Sequence, residues 1–170
     1  NKRLEKNLLN FAKTPFKLDG LNWNGVEWYY QGSKFKKNNS HFYREFSSDS
    51  GSEISKDPVL AKIAGGKRGV KYKTITVTDD ETGKTTKQKK QHILRSKDIT
   101  MDEDFFKTGR HRIEMIAALY EKFTQSEKAK RELTNPIVNR SISNPQEKSN
   151  IQLKELASTS LFHFQKVRYL

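Results

Sequence analysis

Phe16-Lys17-Leu18-Asp19-Gly20-Leu21-Asn22-Trp23, followed two residues later by Val26-Glu27-Trp28-Tyr29-Tyr30-Gln31-Gly32-Ser33-Lys34-Phe35, is the stretch on which the fold turns. The first part alternates apolar and polar residues around Asp19-Gly20. Both of those positions accept positive φ, so the spacing predicts a two-residue β-hairpin. Gly25 to Lys37 reads as a helix. At roughly 100° per residue, Glu27, Gln31 and Lys34 fall near 0°, 40° and −20°. Three polar groups thus share one narrow stripe. Val26, Tyr30 and Ser33 flank it on one side, Trp28 and Phe35 on the other. An ordinary surface helix keeps its polar and apolar sides apart, so a polar stripe between apolar flanks marks this helix as a site candidate.

Outward from this block, Ser47 to Ser55 reads as a flexible loop by composition. Pro58 to Ala64 is expected to be a short helix with Asp57 as N-cap and Pro58 in its first turn. Gly65-Gly66-Lys67-Arg68-Gly69 breaks it. This run lacks the glycine spacing and hydroxyl of a Walker A loop; a plain flexible loop is the reading preferred for it, with a phosphate-binding backbone nest as the functional alternative. Lys71 to Thr78 and Thr85 to Leu94 are β-branched and alternating around an Asp79–Gly83 turn, the pattern of a protruding hairpin. Asp102 to Thr124 is expected to be one long helix. Thr100 and Glu103 are its capping box, and Ile113, Ile116, Ala117, Tyr120 and Phe123 its apolar face. A short helix follows over 126–133, then a polar, proline-containing linker over 135–150.

The chain has 170 residues, 33 lysines and arginines against 20 aspartates and glutamates, and a formal net charge of +13. Apolar residues make up 33%, or about 38% with glycine included, against about 45–50% in an average domain. With aromatics at 11%, the composition fits a small domain with polar, basic additions rather than a disordered chain. The absence of cysteine excludes disulfides, thiolate metal sites and a thiol nucleophile. The four histidines, His41, His92, His111 and His163, are too scattered to imply a metal, and no cofactor is expected. No apolar run is long enough to span a bilayer, no secretory signal opens the chain, and a reducing, cytoplasmic setting is expected. The charge favours an anionic partner. Lys62 to Lys97 holds eleven basic residues against three acids. Lys71, Lys73, Lys84, Lys87, Lys89 and Lys90 are the candidate contacts to DNA or RNA.

Leu9-Asn10-Phe11, the Pro15–Trp23 run and the Val26–Phe35 run together resemble the opening of the NADAR/YbiA-like family. Asp57-Pro58-Val59-Leu60-Ala61 and the Met115–Gln125 segment resemble two later blocks of that family, in the same order. The resemblance implies an α+β domain, mostly helical, over residues 1–134. It would carry a small hairpin near its start and a basic hairpin inserted at 70–97. Residues 135–170 would be a linker and a C-terminal segment on the same domain.

The resemblance also implies an N-glycosidase that hydrolyses a ribose–nitrogen bond. Such enzymes remove ADP-ribose from guanine in nucleic acid or nucleotides, or act on ribosylaminopyrimidine phosphates of riboflavin synthesis. Glu27 matches the family's catalytic glutamate. A carboxylate there suits the chemistry, because bond breaking puts positive charge on the sugar and an attacking water must lose a proton. Lys34 is the second catalytic candidate. Asn10, Phe11, Trp23, Trp28, Gln31, Arg68 and Phe106 are the substrate-binding candidates, and the site is expected in a cleft between the 25–37 and 102–124 helices. Two departures from the pattern are plain: Lys107 stands where the family usually has tryptophan, and the late Trp-Gly block has no counterpart after Leu133. They leave open a second class of function, a nucleic-acid-binding or assembly protein on the same fold.

Overall fold

The computed structural model describes residues 8–134. The expectation for 135–170 lies outside them. Within that span the architecture is α+β and mostly helical, with two separate two-stranded antiparallel sheets.

The N-terminal hairpin forms as expected. Strands β1 (Phe16–Leu18) and β2 (Leu21–Trp23) pair Phe16 with Trp23 and Leu18 with Leu21. Asp19 and Gly20 adopt φ of 55° and 75°, the left-handed pair that a tight hairpin turn requires. Helix α1 (Val26–Ser33) follows at once. Its start at Gly25 is a close approach: a Cβ there would meet Ala12 O at 2.6 Å, so the segment before β1 can lie across the helix entrance only over a glycine.

Helix α1 is shorter than its pattern. It stops at Ser33 because the next turn is drawn into tertiary bonds. The backbone N–H groups of Lys37 and Asn38 both donate to the Asp102 carboxylate at 3.0 Å, and Lys34 O accepts from Asp102 N at 2.7 Å. Lys34 itself keeps helical backbone angles, so the stripe continues through it.

The serine-rich stretch is ordered rather than a loose loop. After α2 (Ser40–Glu45) comes a 3-10 turn at Ser48–Ser50 and α3 (Glu53–Lys56). The serines are used as local hydrogen-bonding groups. Ser52 caps α3 through Ser55 N and also donates to Glu45 O, while Ser48 donates to Asn22 O. Asp49 takes two bonds from Asn22, tying this segment to β2. Helix α4 (Pro58–Ala64) starts as expected, with the Asp57 side chain accepting from Val59 N at 2.8 Å.

Strands β3 (Val70–Thr78) and β4 (Thr85–Ile93) form the second hairpin, in the register Val70 to Ile93 and Thr78 to Thr85. The expected 102–124 helix is broken in two. Helix α5 (Asp104–Lys107) ends at Thr108, and α6 (Arg110–Gln125) begins after Gly109, whose φ is 78°. The Thr100–Glu103 capping box does not form, since no side chain caps α5. Helix α7 (Glu127–Thr134) closes the described chain.

The buried face of α6 is also not the one its apolar spacing indicates. Glu114, Ala118 and Lys122 are buried, whereas Ile113 is mostly exposed. The reason is electrostatic. Glu114 accepts from Tyr29 Oη and from Arg110 Nη1, and Lys122 donates to Leu9 O at 2.9 Å. Met115 and Leu119, one position further round, supply the apolar contact with the core. That core is aromatic: Phe16, Trp23, Trp28, Tyr29, Phe35, Phe42 and Phe46 gather around α1. Trp23 meets Tyr29 edge-on at 5.0 Å, and Phe35 meets Phe42 the same way at 4.9 Å.

Candidate functional site

The stripe on α1 becomes a chain of hydrogen bonds in the interior. Gln31 Nε2 donates to Glu27 Oε1 at 2.9 Å, and Lys34 Nζ donates to Gln31 Oε1 at 2.6 Å and to Gly65 O at 2.9 Å. All three side chains are buried, with relative exposures of 6% for Glu27, 6% for Gln31 and 8% for Lys34. Spacings of four and three residues place them on successive turns. The partners fix the amide of Gln31 one way round, because its oxygen must face the amine and its nitrogen the carboxylate. Glu27 and Lys34 therefore do not pair directly; a neutral amide separates and orients them. Glu27 Oε2 takes no hydrogen bond among the described residues.

The wall opposite the stripe is the end of α4. Gly65 packs so closely on Gln31 that a Cβ would stand 2.2 Å from Oε1 and 2.8 Å from Cβ. Arg95 lies behind this wall. Its guanidinium donates to Ala64 O at 2.9 Å and Lys67 O at 3.0 Å, and stacks over the Phe35 ring at 5.2 Å. Gly69, at φ 66°, lets the backbone pass Arg95, where a Cβ would meet that residue's Cβ at 2.7 Å. Tyr30 forms the side wall. Lys34 Nζ sits 5.5 Å from the centre of its ring, and Tyr30 leads outward to Phe105 at 5.6 Å and on to Phe106.

This environment sets the acid–base character of the site. Burial pulls the Lys34 ammonium down to about 8, against an upward pull from Glu27 and a further downward push from Arg95. A neutral amine is then present near neutral pH, able to act as nucleophile or to exchange a proton. Burial, and then the Glu27 charge, hold the Tyr30 hydroxyl above its ordinary value, so it stays protonated as a donor. Burial also lowers the Arg95 guanidinium.

Of the predicted site residues, Glu27, Gln31 and Lys34 are brought together. Asn10 joins them through its backbone, with its carbonyl accepting from Glu27 N at 3.1 Å, while its side-chain amide faces Met115 Sδ at 3.8 Å. Phe11 is partly exposed beneath Lys62 Nζ, and Phe106 is an exposed ring against His111.

One expectation needs correction. Trp23 and Trp28 are fully buried, with indole N–H groups on Leu18 O and Ile54 O, so neither presents a face on which a base can stack. Arg68 is exposed and makes no hydrogen bond or ion pair among the described residues. The arginine at the stripe is Arg95, which no sequence pattern singles out, because it follows the hairpin and meets the site only through folding. The stripe's own hydrogen bonds run to Gly65, and the 102–124 segment meets α1 through Tyr29, through Ser33 O and through the Tyr30–Phe105 ring contact. Lysines 73, 84, 87, 89 and 90 lie exposed on the second hairpin, and Lys71, at its root, is half-buried. No group of three or more His, Cys, Asp or Glu among the described residues is placed to hold a metal ion. None of the described helices is long and apolar enough to cross a membrane.

No family model matches the chain, and no curated protein does. Among solved structures, the NMR structure of the E. coli protein YbiA is similar, at 20% identity over 76% of this chain and 55% of that one, with a TM-score of 0.44. The chain spans about half the length of that structure.

Proposed function

We propose that this chain is an N-glycosidase that hydrolyses a ribose–nitrogen bond, with ADP-ribose attached to guanine as its substrate. The observation that carries the reading is the buried Glu27–Gln31–Lys34 chain. It holds an oriented carboxylate with one oxygen unengaged beside an amine titrating near 8. In the reaction the bond between C1′ and the base nitrogen breaks, and its electron pair leaves with the base. The sugar carries positive charge as this happens, and Glu27 stabilises it. A water oxygen then bonds to C1′ and gives its proton to Glu27. Lys34 in its protonated form supplies positive charge for a substrate phosphate, or the proton that the departing nitrogen requires. Gln31 keeps the two groups apart so that they do not neutralise each other. Phe106 and Phe11, the exposed aromatics among the candidates, are the rings free to cover a base.

The test is release of free ADP-ribose from a guanine-ADP-ribosylated oligonucleotide, followed by chromatography. Wild type releases it, and Glu27→Gln, which keeps the side chain's size, slows release by at least about 100-fold. No release by wild type, or equal release by the variant, overturns the reading.

A further inference from the structure

The second hairpin has no evident role within the fold. Isolated two-stranded ribbons are marginal in water, yet this one extends for nine residues per strand, about 30 Å at roughly 3.4 Å per residue. Among the described residues it is held only at its root. Leu94 N and Arg95 N both donate to Gly69 O, and His92 Nε2 meets Glu53 Oε1 at 2.7 Å. Beyond the root its side chains are exposed, and none of its lysines has an acidic partner among the described residues.

The distribution of those lysines is informative. Pairing places Lys71, Lys73 and Lys90 on one face, and Lys87 and Lys89 on the other. Lys73 stands directly across from Lys90, a like-charge pair that weakens a hairpin unless an anion lies beside it. A flat anionic surface such as a membrane is met by one face of a ribbon and leaves the other unused. Charges on both faces suit a groove with phosphate on both walls. The B-DNA major groove is about 12 Å wide and admits a two-stranded ribbon. The A-form RNA major groove is too narrow. The acids of the turn have a place in this arrangement. Asp79 is occupied by the N–H groups of Glu81 and Thr82. Asp80 and Glu81 repel phosphate, so the tip stays outside the groove and the stem makes the contact.

We infer that the β3–β4 ribbon seats its stem in the major groove of duplex DNA, with lysines of its two faces reaching the two phosphate walls. This stands independently of the chemistry at Glu27. The two are nevertheless joined. Gly65, which bonds Lys34, lies five residues before Val70, at most about 17 Å of extended chain. DNA held by the ribbon is therefore near the stripe.

Fluorescence anisotropy with the full chain and a 16-base-pair DNA duplex tests this, with no catalytic turnover required. Five phosphate contacts give a slope of log K against log salt of about −4.5, or about 500-fold weaker binding at 200 mM than at 50 mM salt. Substituting Lys71, Lys73 and Lys90 together with Gln brings the slope to about −1.8, and Lys87 and Lys89 together to about −2.7. Lys73, Lys87, Lys89 and Lys90 are exposed, Lys71 is half-buried, and none has an acidic partner among the described residues; an unchanged circular dichroism spectrum checks that the fold is kept. Loss confined to one face, binding to phosphatidylserine vesicles or duplex RNA as tight as to duplex DNA, or no salt-dependent DNA binding each overturns the inference.

Discussion

Gly65→Ala probes the wall of the site with little other disturbance. Gly65 has φ −78° and ψ −3°, a conformation alanine adopts freely, so any effect is steric. The new Cβ would lie 2.2 Å from Gln31 Oε1, 3.0 Å from Cδ and 2.8 Å from Cβ. Rotation of the amide relieves the first contact only by breaking its bonds, and the Cβ contact, fixed by the backbone, pushes the end of α4 away from α1. Gln31 then loses its bonds to Glu27 and Lys34. Hydrogen bonds to charged groups contribute about 1.5–3 kcal/mol each. With partial replacement by water, a net loss of about 2–4 kcal/mol follows. For a chain of this length that lowers Tm by about 6–12 °C, at roughly 3 °C per kcal/mol. Gly66→Ala is the control. Its Cβ meets only Lys62 O at 3.1 Å and Ile63 O at 3.2 Å, and it should cost less than about 1 kcal/mol. Combining Gly65→Ala with Gln31→Ala removes the amide from the collision, so the two changes must couple by about 1 kcal/mol or more in urea unfolding. Strict additivity of the pair, or a Gly65→Ala protein as stable as wild type, would refute the account of the wall.

The lowered Lys34 value makes a pH prediction. Its folded value is about 8 against 10.5 ordinarily, so the unfolded chain binds more protons between those values and stability rises with pH across that window. Lys122, lowered by burial to about 8 as well, adds to the same rise. Lys34→Met keeps only the Lys122 part, so its unfolding free energy climbs less than wild type's between pH 7.5 and 9.5; parallel curves would count against a buried, neutralised amine. Trp23→Phe removes the bond to Leu18 O and leaves a void, costing about 2 kcal/mol. Thermal unfolding should register this while ADP-ribose release per folded molecule stays unchanged; selective loss of turnover would instead restore Trp23 to the site.

What could be read from the sequence was whatever depends on neighbouring residues. The Asp19-Gly20 turn, the Asp57-Pro58 helix start and the alternating arms of the second hairpin are local chemistry, and each forms where the pattern places it. The Glu27–Gln31–Lys34 stripe was legible for the same reason, since helical spacing alone aligns it. What failed depended on distant partners. Nothing near Ser33 ends α1; Asp102 does, bonding Lys37 and Asn38 across 65 and 64 residues of sequence. The apolar spacing of α6 pointed to Ile113, but the ring hydroxyl of Tyr29 and the carbonyl of Leu9 select Glu114 and Lys122 for burial. Trp23 and Trp28 look identical in sequence to exposed platforms, and only the position of Leu18 O and Ile54 O shows them to be core.

The chain's positive charge also divides into two populations with different work. On the ribbon it is mostly exposed and has no acidic partner among the described residues. In the interior, four cations donate to backbone carbonyls: Lys34 to Gly65 O, Arg95 to Ala64 O and Lys67 O, Lys122 to Leu9 O, and Arg110, which also pairs with Asp102, Asp104 and Glu114, to Ser33 O. Ser33, Ala64 and Gly65 lie at the ends of α1 and α4, where carbonyls lack helical partners and the helix dipole favours a positive group. These bonds tie together elements that a core poor in aliphatic residues does not. At Lys34 they also bear on the chemistry. Its nitrogen donates to two acceptors, Gln31 Oε1 and Gly65 O. An ammonium has three N–H groups and leaves one without a protein partner, whereas a neutral amine spends both of its hydrogens and keeps one lone pair. Deprotonation thus breaks no tie to the wall. The same two bonds that hold α4 against α1 allow Lys34 to shed its proton in place and leave its lone pair uncommitted.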